Sequence, residues 1–234
     1  LGPDGSRLSK RHGAMNILEY KDQGFLPEAM LNYLVRLGWS FGDQEVFNIQ
    51  EMIDAFDVKS INKSSAKFDL EKLQWLNQQH LSNSDNSELT EFLKLNTSQK
   101  ELPSEKTIDS FIDAYKPRVN NLNELVGYFD SLYTEQFSVE DSAAEKFLKQ
   151  EILVPFQDLL EMLEQGEWNA ESINQAVKST CENHGIGFGK IGQPLRVAIT
   201  GGTESPSIDL TMTLLDREIV ISRIKKAIEY ISNQ

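Results

Sequence analysis

The chain has one cysteine, Cys181, and three histidines in 234 residues. A disulfide framework is thereby excluded, and too few ligands remain for an ordinary zinc site built from this chain alone. No apolar run approaches the roughly 20 residues that a membrane-spanning helix needs. Seven prolines and 14 glycines exclude collagen-like and Pro-rich fibres. Sustained period-two alternation of apolar and polar residues, the mark of a half-buried strand, is missing apart from short ambiguous runs. Cations are scarce as well. With 23 Lys+Arg against 36 Asp+Glu the net charge is −13, which taken alone argues against a nucleic-acid binder, because phosphate contacts need cations.

What is present is enough apolar content to fold. Hydrophobic residues make up 39% and charged residues 25%, a composition suited to one large domain or two to three small ones rather than to a disordered tail. The acid is unevenly spread. Residues 1–81 carry a balance of −2, residues 82–181 one of −11, and residues 182–234 one of zero. Polyanion binding is therefore disfavoured through the general surface of the middle segment only. The chain opens at Leu1-Gly2-Pro3-Asp4-Gly5-Ser6, without an initiator methionine, and is expected to be a piece of something longer.

Helical periodicity dominates. Met30, Tyr33, Leu34 and Leu37 fall at i, i+3, i+4, i+7 between Pro27 and Gly38, which predicts a helix with Gly38 just past its end. Ile49, Met52, Ile53 and Phe56 repeat the spacing behind Asn48 and Glu51, a capping-box pair. Ile108, Phe111, Ile112 and Tyr115 follow Ser104 and stop before Pro117; Leu122, Leu125, Val126 and Phe129 follow Asn121 and Glu124. Ile152, Phe156, Leu159, Leu160 and Leu163 make another face, with Pro155 tolerable near a helix start. Ile173, Ala176, Val177 and Thr180 precede Gly185, and Ile221, Ile224, Ile228 and Ile231 mark a last helix. The expected fold class is all-α, a multi-module helical bundle, with joints near Ser82–Ser87 and Thr134–Ser138.

Residues Asp4 to Gly13 pack Arg7, Lys10 and Arg11 among Gly5, Gly13, Ser6 and Ser9. Backbone amides freed by glycine, a point charge and two guanidinium forks suit phosphate; composition alone favours a solvated cationic loop. It is not a P-loop, because the Gly-x4-Gly-Lys-Ser/Thr spacing is missing. Sequence order adds more. Arg7-Leu8-Ser9-Lys10-Arg11 resembles the Lys-Met-Ser-Lys-Ser signature loop of class I aminoacyl-tRNA synthetases, and the flanking Asp4-Gly5 and His12-Gly13 resemble the glutamyl-tRNA synthetase version. Leu31 to Ser40, Lys67-Phe68-Asp69 with Lys72 to Asn77, Lys116-Pro117-Arg118-Val119, and Lys190 to Gly201 followed by Ser205-Pro206 agree in the same order, so the resemblance covers essentially the whole chain.

The resemblance implies the C-terminal portion of a bacterial-type glutamate–tRNA ligase, an enzyme that activates glutamate with ATP and Mg²⁺ and then esterifies the tRNA 3′ end. It implies that Ser9 and Lys10, in the loop Arg7, Leu8, Ser9, Lys10 and Arg11, face ATP, with Lys10 stabilising charge as adenylate forms. Arg7 stands where the family often has Lys, exchanging a point cation for a fork. The nucleotide-binding sheet and its His-Ile-Gly-His loop are not in this sequence, so the chain alone is expected to be inactive. It is expected to depend on a catalytic domain in cis and to work as a cytoplasmic monomer with tRNA(Glu) as partner, without membrane, metal site or bound cofactor of its own.

The same resemblance places tRNA contacts at Arg118, Arg196, Lys190, Thr200 and Ser205. Arg118 precedes the Asn121-capped helix and has a guanidinium suited to an unstacked base; an arginine pairing with neighbouring carboxylates at the surface is the alternative. Arg196 follows Pro194-Leu195 at an expected helix start among Gly187, Gly189, Gly192, Gly201 and Gly202, glycines that either admit RNA backbone or serve as caps and turns. Trp39, Trp75 and Trp168 are expected as core or interdomain anchors, and Cys181 with His184 as a helical face rather than a metal site. Arg217, Arg223, Lys225 and Lys226 are expected to favour the dipole of the last helix. The expected division is a signature-loop and stem-contact module at 1–82, with anticodon-binding modules at 83–137 and 138–234. An acidic all-α protein-interaction module, or a freestanding synthetase-derived regulator, is the alternative function.

Overall fold

The computed structural model describes residues 1–2, 5–7, 16–62 and 64–234. Among the described residues there are α-helices, short 3-10 turns and no strand, only an isolated bridge between Phe41 and Gln44. The fold is all-α, as the periodicity predicts. The chain divides into two compact units, one of Leu1–Thr97 with Tyr115–Tyr128, the other of Ser98–Ala114 with Phe129–Gln234.

The first unit holds α1 (Ile17–Asp22), α2 (Pro27–Gly38), α3 (Ile49–Ala55), α4 (Leu70–Asn83) and α5 (Asn86–Asn96). Tyr20, Phe25, Met30, Tyr33, Leu73 and Leu76 form its core, and Trp39, Phe47 and Met52 a second cluster. Two buried amides tie the helices to the loops between them. Asn32 donates to the Glu45 carbonyl and accepts from the Phe47 N–H, and His80 Nε2 lies 3.0 Å from the same Asn32 oxygen. Asn77 accepts from the Leu26 N–H at 2.8 Å and donates to the Asn120 carbonyl at 2.6 Å. The stretch 115–128 closes on the turn after α1. The Gly24 carbonyl accepts from the Leu122 N–H, and Asn123 donates to the Asp22 carbonyl. Gly24 has φ +82°, and a Cβ there would stand 2.7 Å from the Asn123 nitrogen, so both conformation and space demand glycine.

The second unit holds most of α6 (Glu105–Tyr115), the end of α7 (Leu122–Tyr133), and then α8 (Asp141–Phe147), α9 (Leu153–Gln165), α10 (Ala170–His184), α11 (Phe188–Thr200), α12 (Ile208–Thr213) and α13 (Arg217–Ser232). Helix α9 packs on α10 and α13, and α11 on α13 and α8. Phe111, Phe129 and Tyr133 make an aromatic cluster. Gly201 ends α11 in the left-handed conformation, with the Ser138 carbonyl oxygen 2.6 Å from where its Cβ would be.

Arg223 organises this unit. It is only 5% exposed, donates to the carbonyls of Ile199 and Leu132, and lies 3.8 Å from the centroid of the Phe137 ring. Those carbonyls sit in the last turns of α11 and α7, where no intrahelical donor exists. A cation there also meets the negative ends of two helix dipoles. Burial pulls the guanidinium pKa down to about 10, still far above neutrality. The expectation that Arg223 favours the dipole of its own helix is thus corrected: it serves the ends of two other helices.

Other expectations change in detail. Gly38 is the last residue of α2 rather than the residue after it, and Leu34 is exposed. Helix α3 has its full capping box, but of the four periodic residues only Met52 is buried, and Ile53 is 65% exposed. Trp39 is in the core, whereas Trp75 is exposed. Helix α11 starts at Phe188, six residues before Pro194, so Pro194 and Arg196 are inside the helix. Proline removes the bond to the carbonyl four residues back, that of Lys190, yet the helix runs on through it to Thr200.

Replacing Arg223 with Met keeps the stem and strands both carbonyls. It is expected to cost about 2–3 kcal/mol in urea unfolding of the full chain. Burial lowers the His80 pKa, so the unfolded state takes up its proton first as pH falls. This contribution to stability is present above the unfolded pKa of about 6.5 and is lost below it. His80→Gln is expected to flatten the fall in unfolding midpoint between about pH 7.5 and 5.5, a window bracketing that value.

Candidate nucleic-acid interface

Arg118 ends a 3-10 turn, Lys116–Arg118, whose backbone is fastened from three sides. Gln78 donates to the Pro117 carbonyl at 2.9 Å, Asn77 to that of Asn120, and Lys116 reaches the Ser84 carbonyl at 3.1 Å and the Asn86 side chain at 2.8 Å. Pro117 and Arg118 are themselves exposed, while Val119 is buried as an anchor. No hydrogen bond or ion pair of the Arg118 guanidinium is present among the described residues. A rigid backbone therefore presents a solvated fork. Asn121 and Glu124 start the next helix with a reciprocal cap: Glu124 N–H donates to Asn121 Oδ1, and Asn120 N–H to the Glu124 carboxylate.

In the second unit α11 and the segment after it bring Arg196, Thr200 and Ser205 together. Arg196 donates through Nε to Ser205 Oγ at 2.8 Å, through one terminal nitrogen to Gln193 Oε1 at 3.0 Å, and through the other to the Pro206 carbonyl at 3.3 Å. Ser205 Oγ donates to the Pro206 carbonyl, and Thr200 Oγ1 to the carbonyl of Arg196. At least three of the guanidinium's five donors are thus engaged, two of them holding the chain at 205–206 against α11 and one bonding Gln193 on α11 itself, which fixes the fork's direction. Gly189, Gln193, Arg196 and Thr200 fall at i, i+4, i+7, i+11 on one helix face. Lys190, in the first turn of α11, is 3.8 Å from Glu151, both well exposed, an ion pair that salt screens and that contributes little. The glycines divide by position: Gly187 is the N-cap, Gly189 and Gly192 are helical, and Gly201 is the left-handed C-cap.

Arg7 is exposed; Leu8, Ser9, Lys10 and Arg11, the rest of the signature loop, lie outside the described residues. Among the described residues no group of three or more His, Cys, Asp and Glu side chains is arranged to hold a metal ion. His184 pairs with Asp158 at 2.6 Å, and Cys181 is buried; desolvation raises its thiol pKa, which leaves it an inert thiol.

The second unit also contains a cavity of about 740 Å³. Tyr133 and Trp168 line it and fasten its floor, the Tyr133 hydroxyl donating to the Leu214 carbonyl and Trp168 Nε1 to that of Leu215. Its lining includes Glu101, Glu135 and Asp216 against Lys100, a balance that disfavours phosphate. Sequence reasoning missed Asn77 and Gln78 as the supports of the Arg118 turn. An amide on a helix otherwise rich in apolar contacts is the signal, but its partners are 43 and 39 residues away.

Two family models match the chain. The "Anticodon binding domain" matches residues 78–228, and the "tRNA synthetases class I (E and Q), catalytic domain" matches residues 1–75. Similar curated proteins include Glutamate--tRNA ligase 1 of Alkalilimnicola ehrlichii, 43% identical, and that of Nitrosococcus oceani, 40% identical. In each case all of this chain aligns with 50% of the relative. The chain thus spans about half the length of the curated relatives it matches. Among solved structures, a glutamate tRNA ligase of Elizabethkingia meningosepticum in complex with its amino acid superposes with a TM-score of 0.86 at 30% identity, covering 99% of this chain and 50% of that one. Glutamate-tRNA synthetase of Elizabethkingia anophelis superposes at 0.80 with 29% identity, covering 98% and 49%.

Asn77→Ala leaves the Leu26 N–H and the Asn120 carbonyl unpaired. The expected result is a loss of about 2 kcal/mol in urea unfolding, together with faster amide hydrogen exchange at residues 118–122.

Proposed function

Because the chain belongs to the glutamate–tRNA ligase family, we propose that it is the part of such a ligase that recognises tRNA(Glu), in service of ATP-dependent glutamylation. The exposed Arg118 fork on its fastened turn is the observation that carries this reading. An arginine with no internal partner, on a backbone held by Gln78, Asn77 and Lys116, is prepared to meet a base that loop RNA holds unstacked. Arg196 is the second reader, aimed by Gln193, Ser205 and Pro206, with Thr200 and Ser205 shaping its surroundings and Lys190 taking a phosphate. Shape and backbone contacts position the RNA, and the arginines specify. The acidic middle segment, at −11 over residues 82–181, keeps duplex phosphates off the remaining surface.

The adenylating chemistry belongs to a catalytic half in cis. Leu34, Ile49, Ile53, Phe56 and Val58 expose apolar surface on the first unit, and all fall within the stretch that matches the catalytic-domain model. An apolar surface of this kind marks an interaction site. In this reading the rest of the catalytic domain covers it, with residues 1–82 joining that half to anticodon modules at 83–137 and 138–234. Ser9 and Lys10 would contact the ATP phosphates, Lys10 countering charge as adenylate forms, with Mg²⁺ as the companion ion. The complete protein would act as a monomer in the cytoplasm; no helix among the described residues is long and apolar enough to cross a membrane.

A gel-shift titration against tRNA(Glu), tRNA(Gln) and an anticodon-swapped tRNA(Glu), at two ionic strengths, tests the reading. Preference for the cognate anticodon is expected, with affinity falling steeply as salt rises. Arg118→Ala is expected to weaken cognate binding about tenfold or more and to narrow the gap between cognate and swapped tRNA. Equal affinity for all three RNAs overturns the recognition role.

A further inference from the structure

Helix α11 buries its large apolar side chains: Ile191, Leu195, Val197 and Ile199 are fully covered. Phe188 is the exception, at 45% exposed. Its ring is not loose. It lies on Gly192, one turn further along, so close that a Cβ at 192 would stand 3.0 and 3.2 Å from two ring carbons. A glycine within a helix costs about 1 kcal/mol relative to alanine; here it makes the seat for the ring. One turn beyond that seat is Arg196, held by Gln193, Ser205 and Pro206. Ring, seat and guanidinium succeed one another at four-residue steps, each about 6 Å along the axis.

The charge of this stretch of sequence is also unusual, with Glu151 beside Lys190 as a carboxylate brought to it from elsewhere. Residues 183–203 are the longest stretch of the chain without Asp or Glu, and α11 carries Lys190 and Arg196 with no acid, in a protein of net charge −13. An exposed, seated aromatic two turns before a guanidinium, on a helix without carboxylates, suits a flat ring attached to a phosphate chain. It does not suit an apolar protein surface, which would favour no such clearing of acid.

We propose that the Phe188 ring is a stacking platform for one unstacked nucleobase of the anticodon loop, whose edge then faces Arg196. This rests on the anticodon-recognition reading above and adds to it the residue that holds the base flat. Stacking is indifferent to base identity because every base has a π-face, so Phe188 contributes affinity and leaves discrimination to the arginine. Gly192 is a positioning residue, acting through the ring.

The test uses the full chain and a short RNA hairpin bearing the tRNA(Glu) anticodon loop, with a fluorescent base analogue substituted in turn at each loop position. Quenching at one position is expected. Phe188→Leu, which keeps an apolar side chain, is expected to abolish the quench and weaken binding roughly tenfold. Phe188→Trp is expected to restore both. Gly192→Ala is expected to weaken binding while the melting temperature stays level or rises, since alanine favours the helix. A Phe188→Leu variant that binds and quenches as the wild type does would show a packing role only and overturn the proposal, as would a Gly192→Ala variant of unchanged affinity. If the wild-type chain itself fails to prefer this hairpin over one with a scrambled loop, the anticodon reading falls and the platform with it.

Discussion

Every helix ends in backbone groups that its own turns cannot satisfy, and an all-helical chain has no sheet to absorb them. Here the demand is met repeatedly by side chains from distant sequence. Arg223 serves the closing carbonyls of α7 and α11 at once, and Asn77 joins the approach to α2 with the approach to α7. Each of these groups is buried, so its removal strands a partner where water does not reach. Packing of the apolar faces supplies the bulk of the stabilisation, but these few polar atoms decide which helix ends meet within each unit, and thereby hold the turn that carries Arg118 and the helix that carries Arg196.

Presentation of the candidate site follows from the same economy. The backbone around Arg118 uses Gln78, Asn77 and Lys116, and the side chain is left in water. Arg196 is treated differently: its own donors hold Ser205 and Pro206, so the loop and the fork orient each other. One arginine is fixed through its main chain and the other through its side chain. The first retains rotamer freedom that any binding partner must quench; the second begins with much of that freedom already gone.

Local features of the fold were legible because their causes are local. The box of Asn48 and Glu51 and the cap of Asn121 and Glu124 lie within three residues of their targets, and the left-handed Gly185 directly follows its helix. Helical spacing named α2, α3, α6, α7, α9, α10 and α13 but passed over α1, α4, α5, α8 and α12, and spacing cannot say which apolar face will find a neighbour. The stripe on α3 has the pattern of a core helix and is mostly exposed. Arg223 was illegible for the opposite reason: its carbonyls are 24 and 91 residues away, and nothing on its own helix betrays them. The order of short motifs pointed to the family, since order survives without knowledge of shape. It was silent on the fastened turn under Arg118 and on the hydrogen bonds of Arg196, which depend on contacts between elements. It also placed the start of α11 too late, treating Pro194 as a boundary where the helix runs through it.

The first unit is not continuous in sequence. Residues 1–97 need the stretch 115–128, whose Leu122 and Asn123 complete the turn at Gly24. A ribosome delivers the chain in order, so α1 to α5 emerge and wait while residues 98–114, which belong to the other unit, pass first. Until the 115–128 stretch clears the exit tunnel, the acceptors at Asp22 and Gly24 and the Asn77 amide face water or a chaperone. Closure of the earlier unit is thereby timed by synthesis of the later one, and a nascent chain stalled between positions 98 and 114 would carry its amino-terminal helices without their clasp.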